Sequence, residues 1–165
     1  MGYLEDIYNI ESPEDLDEEP AAPDPNEPAK IVIVGGGIVG LVLALAVRKH
    51  LRIIPEIYEK AHQFYDDVGA ALGCYPNGLR VIRDVDPNLL KAIREAGYPY
   101  IYRRWERHDG TEIAAAKEAE LTEGEPDLAS IGIRRWKLQK VLYQAVIDAG
   151  LPFHLNKPTK DVIMI

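Results

Sequence analysis

Three glycines and one acidic residue have the spacing of a phosphate-binding turn. Residues 30–34 read Lys-Ile-Val-Ile-Val, and Gly35, Gly37 and Gly40 follow at once. Glu59 comes nineteen residues after Gly40, at the end of a second apolar run. A strand, a Gly-x-Gly-x-x-Gly turn, a helix and a second strand that ends in an acid form the fingerprint of a dinucleotide-binding unit.

Each residue of this pattern has its own physical role. Gly35 permits the tight turn out of the strand, and Gly37 lets the backbone approach a pyrophosphate because it has no Cβ. Gly40 allows the helix to lie close to the sheet. The N–H groups and the dipole at the helix N-terminus favour the phosphate charge. Glu59 is predicted to accept hydrogen bonds from the ribose hydroxyls of the adenosine.

A membrane-spanning helix is the alternative interpretation of this region. Residues 31–47 form an unbroken run of seventeen apolar or glycine residues, in which Gly36 and Gly40 make a Gly-x-x-x-Gly pair. The run is at the short limit for a span, and three adjacent glycines weaken a helix. Residues 1–29 also contain no basic residue. These observations favour the dinucleotide site. For Glu59 alone, a solvated carboxylate at a strand end is the simpler alternative.

The negative charge is concentrated at one end of the chain. The 165 residues have a net charge of −8, but residues 1–29 hold ten acids, five prolines and no Lys or Arg. Such a segment buries too little apolar surface to offset the entropy of ordering, so we expect a disordered acidic tail. Residues 30–165 then form a single, nearly neutral domain. No basic stripe stands out beyond Arg103, Arg104 and Arg107 in one predicted strand, so no nucleic-acid partner is expected.

Cysteine and histidine offer no metal site or disulfide. Cys74 is the only cysteine, which fits a reducing compartment and a cytoplasmic location. The four histidines lack the spacing of metal ligands, so we interpret them as surface or packing residues. No Ser/His/Asp or paired-carboxylate arrangement indicates a catalytic side chain.

Hydrophobic periodicity predicts an α/β fold with a doubly wound parallel sheet of the Rossmann-like type. The predicted strands are 30–34, 53–58 and 151–155, with a further strand from 161. The predicted helices are 38–50, 76–84, 87–96 and 136–149, and the predicted loops are 61–75 and 121–127. The first strand and first helix are apolar nearly throughout, so both are expected to be buried.

A hairpin is predicted to interrupt this α/β pattern. Residues 100–108 and 112–117 flank Asp109-Gly110, a pair that suits a two-residue turn. An antiparallel hairpin in a parallel pattern suggests a second layer, so we interpret residues 99–118 as a partial antiparallel hairpin insertion.

Two further stretches complete a recognisable set of motifs. Residues 69–78 read Gly-Ala-Ala-Leu-Gly-Cys-Tyr-Pro-Asn-Gly, and residues 133–138 read Ile-Arg-Arg-Trp-Lys-Leu. With Ile31–Gly40 and Glu59, they resemble the FAD-dependent monooxygenases of the aromatic-hydroxylase type, such as salicylate and p-hydroxybenzoate hydroxylases. The two later motifs are the more specific ones, because a plain nicotinamide dehydrogenase would not carry them in this order.

The resemblance implies an FAD-binding domain, with NAD(P)H as reductant and insertion of one oxygen atom from O₂ into a small organic substrate. It implies that Glu59 binds the FAD ribose and that Gly73 brings its backbone against the cofactor. It also implies that Arg135 contacts the flavin side of FAD, where a planar guanidinium suits phosphate or carbonyl oxygens. Arg134 is the alternative in the neighbouring register, and a solvated arginine at a helix start is the simpler interpretation.

Members of that family are well over twice this length and carry later Asp-Gly and Gly-Asp motifs that are not found here. The sequence is therefore expected to be the truncated, N-terminal part of such an enzyme. We expect it to be inactive alone and to associate through an unpaired sheet edge. A non-catalytic dinucleotide-binding remnant and an NAD-dependent oxidoreductase remain the alternatives.

Overall fold

A parallel sheet of three strands underlies the glycine-rich turn. The computed structural model describes residues 30–64, 69–122 and 124–160, all within one compact unit, Ala29–Lys160. The strands are β1 (Val32–Val34), β2 (Glu56–Tyr58) and β8 (Phe153–His154). Their order is β1-β2-β8, and both pairings are parallel. The three predicted parallel strands are confirmed, although each is shorter than predicted. The predicted acidic tail and the strand predicted from residue 161 lie outside the described residues.

The predicted helices are also confirmed, to within one or two residues at their ends. They are α1 (Ile38–Leu51), α2 (Pro76–Val85), α3 (Pro87–Ala96) and α5 (Arg135–Asp148). The Asp86 side chain accepts a hydrogen bond of 2.8 Å from the Asn88 N–H, so it caps α3 as expected. A short α4 (Glu118–Leu121) and a 3-10 turn (Pro126–Leu128) enter the region predicted as an acidic loop.

A second, antiparallel sheet was not predicted. It contains β3 (Ala71–Cys74), β4 (Tyr98–Pro99) and β7 (Ile131–Arg134), in the order β3-β7-β4. The assignment of residues 71–74 to a loop was wrong. These residues show no polar alternation, and their pairing with β7, some sixty residues away, supplies the hydrogen bonds that make them a strand.

The predicted hairpin forms between β5 (Tyr102–Glu106) and β6 (Glu112–Lys117), but its turn differs from the prediction. The Arg107 N–H donates to the Thr111 carbonyl at 2.8 Å, and the Gly110 N–H donates to the Arg107 carbonyl at 3.0 Å. Gly110 has a φ of +86°. These bonds enclose three residues in a turn that ends in a left-handed glycine, rather than two.

Helix α1 and strand β1 are less buried than predicted. In α1 only Leu41, Ala44 and Val47 are buried, whereas Val39 is 80% exposed. In β1 only Ile33 is buried. An apolar sequence indicates that a face is able to be buried, but burial also requires another element to pack against that face. Among the described residues, no element covers the faces that carry Val39 on α1 and Val32 and Val34 on β1. The stretch interpreted alternatively as a membrane span divides into strand, turn and helix, and the described residues include no helix long and apolar enough to cross a membrane.

A buried ion pair ties the hairpin to α4. Glu118 is 1% exposed, and its Oε2 accepts from the Arg103 Nε at 2.6 Å. Its Oε1 accepts from the Arg103 Nη2 at 2.9 Å and from the Ser130 N–H at 2.7 Å. Burial raises the pKa of Glu118, but these hydrogen bonds outweigh it and lower the pKa from 4.5 to about 2. The Arg103 guanidinium therefore has a structural role, as the partner of the buried Glu118 carboxylate.

Candidate functional site

The turn after β1 is shaped by its first and last glycines. Gly35 has a φ of +103°, which L side chains rarely adopt, and its N–H donates to the Tyr58 carbonyl at 2.8 Å. A Cβ on Gly40 would collide with the Gly35 carbonyl oxygen and lie 3.3 Å from the Ile33 Cγ2. The tight turn and the close approach of helix to strand are therefore present as predicted. Contact of either residue with a cofactor stays a prediction.

Gly37 occupies the open side of the same turn. It is the N-cap residue of α1, with φ −73° and ψ 175°. A Cβ at Gly37 would have no atom within 4 Å, so the space beside its Cα is open. Within the described ranges no partner is found for the Gly37 N–H. An unpaired N–H beside the positive end of a helix dipole is suited to an anionic group.

Glu59 is fixed by backbone donors on both of its oxygens. Oε2 accepts from the Gly36 N–H at 2.6 Å, and Oε1 accepts from the Ala61 N–H at 2.8 Å. The Glu59 main chain bonds to the His154 carbonyl at 2.9 Å. An ionised carboxylate has about four acceptor positions, so each oxygen keeps one. The carboxylate can therefore hold the glycine turn and still accept two hydroxyl donors, the number that a ribose diol offers.

Gly73 lies in the antiparallel sheet, opposite Gly132. A Cβ there would lie 3.1 Å from the Tyr100 hydroxyl oxygen and 3.2 Å from the Tyr75 ring. The close approach at Gly73 is therefore made by two tyrosines. Gly73 also borders an apolar groove of about 640 Å³, lined mainly by α1, α2 and β3, including Val39.

Arg135 is the first residue of α5, as the motif predicted. Its N–H donates to the Ala70 carbonyl at 3.0 Å, and its Cδ lies 3.6 Å from the position of a Cβ on Gly69. Both Arg135 and the N-cap residue Arg134 are exposed. Neither register is selected by these contacts, so the choice between the two arginines stays a prediction.

Sequence reasoning missed the residue that joins α5 to the glycine turn. Gln139, one helical turn after Arg135, donates from Nε2 to the Gly36 carbonyl at 2.9 Å. The sequence offers no signal for a pair 103 residues apart. A Cβ on Gly36 would lie 2.5 Å from the Phe153 ring, so only glycine fits at this position. The run of three glycines, 35–37, was the one sequence signal of this constraint. The structure thus brings together Glu59, the glycine turn and the start of α5.

Metal or thiol chemistry has no support in the part of the chain that is described. There, no group of His, Cys, Asp and Glu residues could hold a metal ion. Burial raises the pKa of the Cys74 thiol, which favours the unreactive protonated form.

The chain matches no family model. It is similar to the FAD-dependent monooxygenase subE of Metarhizium robertsii, with 29% identity over 135 residues, or 81% of this chain and 40% of that protein. It is also similar to the salicylate hydroxylase of Pseudomonas putida, with 43% identity over 53 residues, or 32% of this chain and 12% of that protein. The chain thus spans no more than 40% of the length of these curated relatives.

Solved structures show the same partial likeness. The crystal structure of 2-methyl-3-hydroxypyridine-5-carboxylic acid oxygenase gives a TM-score of 0.62 at 19% identity, over 79% of this chain and 32% of that one. The p-nitrophenol 4-monooxygenase PnpA of Pseudomonas putida gives 0.63 at 20% identity, over 77% and 31%. At this identity the likeness shows the fold. The resemblance inferred from the motifs is confirmed: most of this chain is similar to part of a FAD-dependent monooxygenase.

Proposed function

We propose that this chain binds FAD at the turn between β1 and α1 and forms the cofactor-binding part of a flavin-dependent monooxygenase. The geometry at Gly37 carries the proposal, because its N–H at a helix N-terminus has no partner among the described residues and its Cβ position is open. The likeness to FAD-dependent monooxygenases favours FAD over NAD as the dinucleotide.

The residues of this chain divide the work of binding. The open N–H and helix dipole at Gly37 suit the diphosphate, and the two spare acceptor positions of Glu59 suit the ribose hydroxyls. Arg135, or Arg134 in the other register, supplies a cation at the start of α5. The proposed FAD contacts are Gly35, Gly37, Gly40, Glu59, Gly73 and Arg135. Bound FAD would supply the redox chemistry, while the protein supplies position and electrostatics.

The activity of the whole protein follows as a broader proposal. It would use NAD(P)H and O₂ to oxygenate a small organic molecule, and its sheet would be of the doubly wound type. The single cysteine fits a cytoplasmic location. Among the described residues β1 and β8 are the edge strands of the parallel sheet. On β1, Val32 and Val34 are 58% and 59% exposed, so association through the β1 edge is part of the proposal.

Titration of the purified chain with FAD, followed by quenching of flavin fluorescence, tests the proposal. Glu59→Ala and Arg135→Ala should each weaken binding by about 1–3 kcal/mol, the cost of a lost charge-assisted hydrogen bond. Arg134→Ala is the matched control. If it weakens binding and Arg135→Ala does not, the register is off by one. If FAD does not bind the unaltered chain, the proposed function is wrong.

A further inference from the structure

The peptide groups on either side of Gly36 are held by three separate elements. Its N–H donates to Glu59 Oε2 at 2.6 Å, at the end of β2. Its carbonyl accepts from Gln139 Nε2 at 2.9 Å, from α5. Its Cα faces the ring of Phe153 on β8, where a Cβ would lie only 2.5 Å from the ring. Gly36 therefore has little freedom to rotate either peptide.

The bond from Gln139 also fixes the direction of the next N–H. The Gly36 carbonyl and the Gly37 N–H belong to one planar trans peptide, in which the C=O and N–H point in opposite directions. Because the carbonyl points to Gln139, the Gly37 N–H points away from α5. Among the described residues that N–H has no partner, and a Cβ on Gly37 at the start of α1 would meet no atom within 4 Å. A peptide flip would reverse it and turn a carbonyl oxygen, with its negative partial charge, towards the side that the N–H now faces.

We propose that Gln139 is a positioning residue that holds the Gly36–Gly37 peptide in the orientation needed to receive the diphosphate of FAD. The inference rests on the proposed function, since it names what prepares the same site. In this role Gln139 does not contact the diphosphate itself; it acts through its hydrogen bond to the Gly36 carbonyl. Because Arg135 lies one turn earlier on the same helix, the bond also sets the distance between that cation and the glycine turn.

Gln139→Met tests the role, since methionine keeps the length of the side chain and removes the donor. FAD affinity should fall about tenfold, as expected for one lost hydrogen bond and a less ordered turn. Gln144→Met is the matched control, because Gln144 is an exposed glutamine of the same helix that bonds to Asp148 at 2.7 Å. It should leave affinity unchanged. Equal losses in both variants, or no loss in Gln139→Met, would overturn the proposal.

Gln139→Glu provides a second test that a purely structural role would not pass. A protonated Glu can donate to the Gly36 carbonyl, whereas its carboxylate repels that oxygen. The ratio of its Kd to that of the unaltered protein should fall between pH 7 and pH 4, a window that includes the ordinary Glu pKa of about 4.3, while the ratio for Gln139→Met stays constant. The unaltered protein and Gln139→Met carry the same neighbouring ionisable groups, namely Glu59 after β2, Arg135 and Tyr143 on α5 and His154 on β8, so they are the reference for the pH dependence. A flat ratio for Gln139→Glu contradicts the inference.

An NMR measurement without ligand separates this inference from the proposed function. In ¹⁵N-labelled protein, Gln139→Met should shift the Gly37 amide signal and lower its ¹H–¹⁵N NOE, because the peptide becomes less ordered, and Gln144→Met should do neither. If FAD fails to bind but the Gly37 amide responds, the proposed function fails and the positioning role stands. An unchanged Gly37 amide in Gln139→Met would overturn the positioning role whatever the result with FAD.

Discussion

A single methyl group at Gly40 is predicted to destabilise the fold of this site. In Gly40→Ala the new Cβ would lie less than 3.0 Å from the backbone oxygen of Gly35. Real Cβ atoms essentially never approach another heavy atom so closely. The new Cβ would also lie 3.2 Å from the Gly35 carbonyl carbon. Backbone cannot rotate aside as a side chain does, so α1 must move away from β1.

The expected size follows from two opposed effects. Overpacking against backbone on one side belongs at the upper end of the usual range, about 3 kcal/mol. Alanine is favoured over glycine in a helix by about 1 kcal/mol, which offsets part of that cost. The free energy of unfolding should therefore fall by about 2 kcal/mol. For a domain of this size we expect Tm to fall by about 8 °C.

Gly78 offers a control at the same position of another helix. Gly40 is the third residue of α1 and Gly78 is the third residue of α2, but a Cβ on Gly78 would have no atom within 4 Å. Gly78→Ala should leave the free energy of unfolding unchanged or raise it by up to about 1 kcal/mol. Urea unfolding followed by circular dichroism measures both variants. Equal stabilities for the two would refute the reasoning that the helix and the turn are in contact at Gly40.

Two further predictions concern binding and acid stability. Gly37→Val should abolish FAD binding in a fluorescence titration yet change Tm far less than Gly40→Ala, since its side chain would enter open space rather than backbone; retained FAD affinity would contradict this. Because the folded-state pKa of Glu118 is lowered from 4.5 to about 2, its contribution of about 3 kcal/mol is present above pH 4.5 and is lost as pH falls towards 2. Urea unfolding at pH 6, 4 and 3 should show this loss in the unaltered protein, and Glu118→Gln should be less stable at pH 6 with a smaller change across the same window. Parallel pH dependences for the two proteins would show that the lowered pKa of Glu118 does not contribute.

Local sequence signals predicted the parts of the fold that local physics decides. The Asp86 cap, Pro87 at the first helical position and the apolar spacing of α5 depend on neighbours in sequence, and all of them are found in the structure. The turn geometry of Gly35 and Gly40 also follows from sequence, because a positive φ and a close helix approach select glycine.

The errors arose where a distant partner decides. Residues 71–74 form a strand only because β7 pairs with them, and nothing in Ala-Leu-Gly-Cys announces that partner. Apolar residues of α1 such as Val39 were expected to be buried, but burial depends on what packs against them. In the site, Glu59 was predicted to face a ribose, and its bond to the Gly36 N–H was not foreseen. Gln139 lies 103 residues from its partner, so no spacing rule could connect them.

The most direct test of the central claim is a comparison of FAD and NAD binding to the purified 165-residue chain. Flavin fluorescence quenching gives the Kd for FAD, and competition by NAD in the same titration gives the second Kd. The account predicts that FAD binds, that NAD displaces it only weakly, and that Gly37→Val removes FAD binding. NAD binding that is tighter than FAD binding, or FAD binding that survives in Gly37→Val, would contradict the assignment of a FAD site to the turn between β1 and α1.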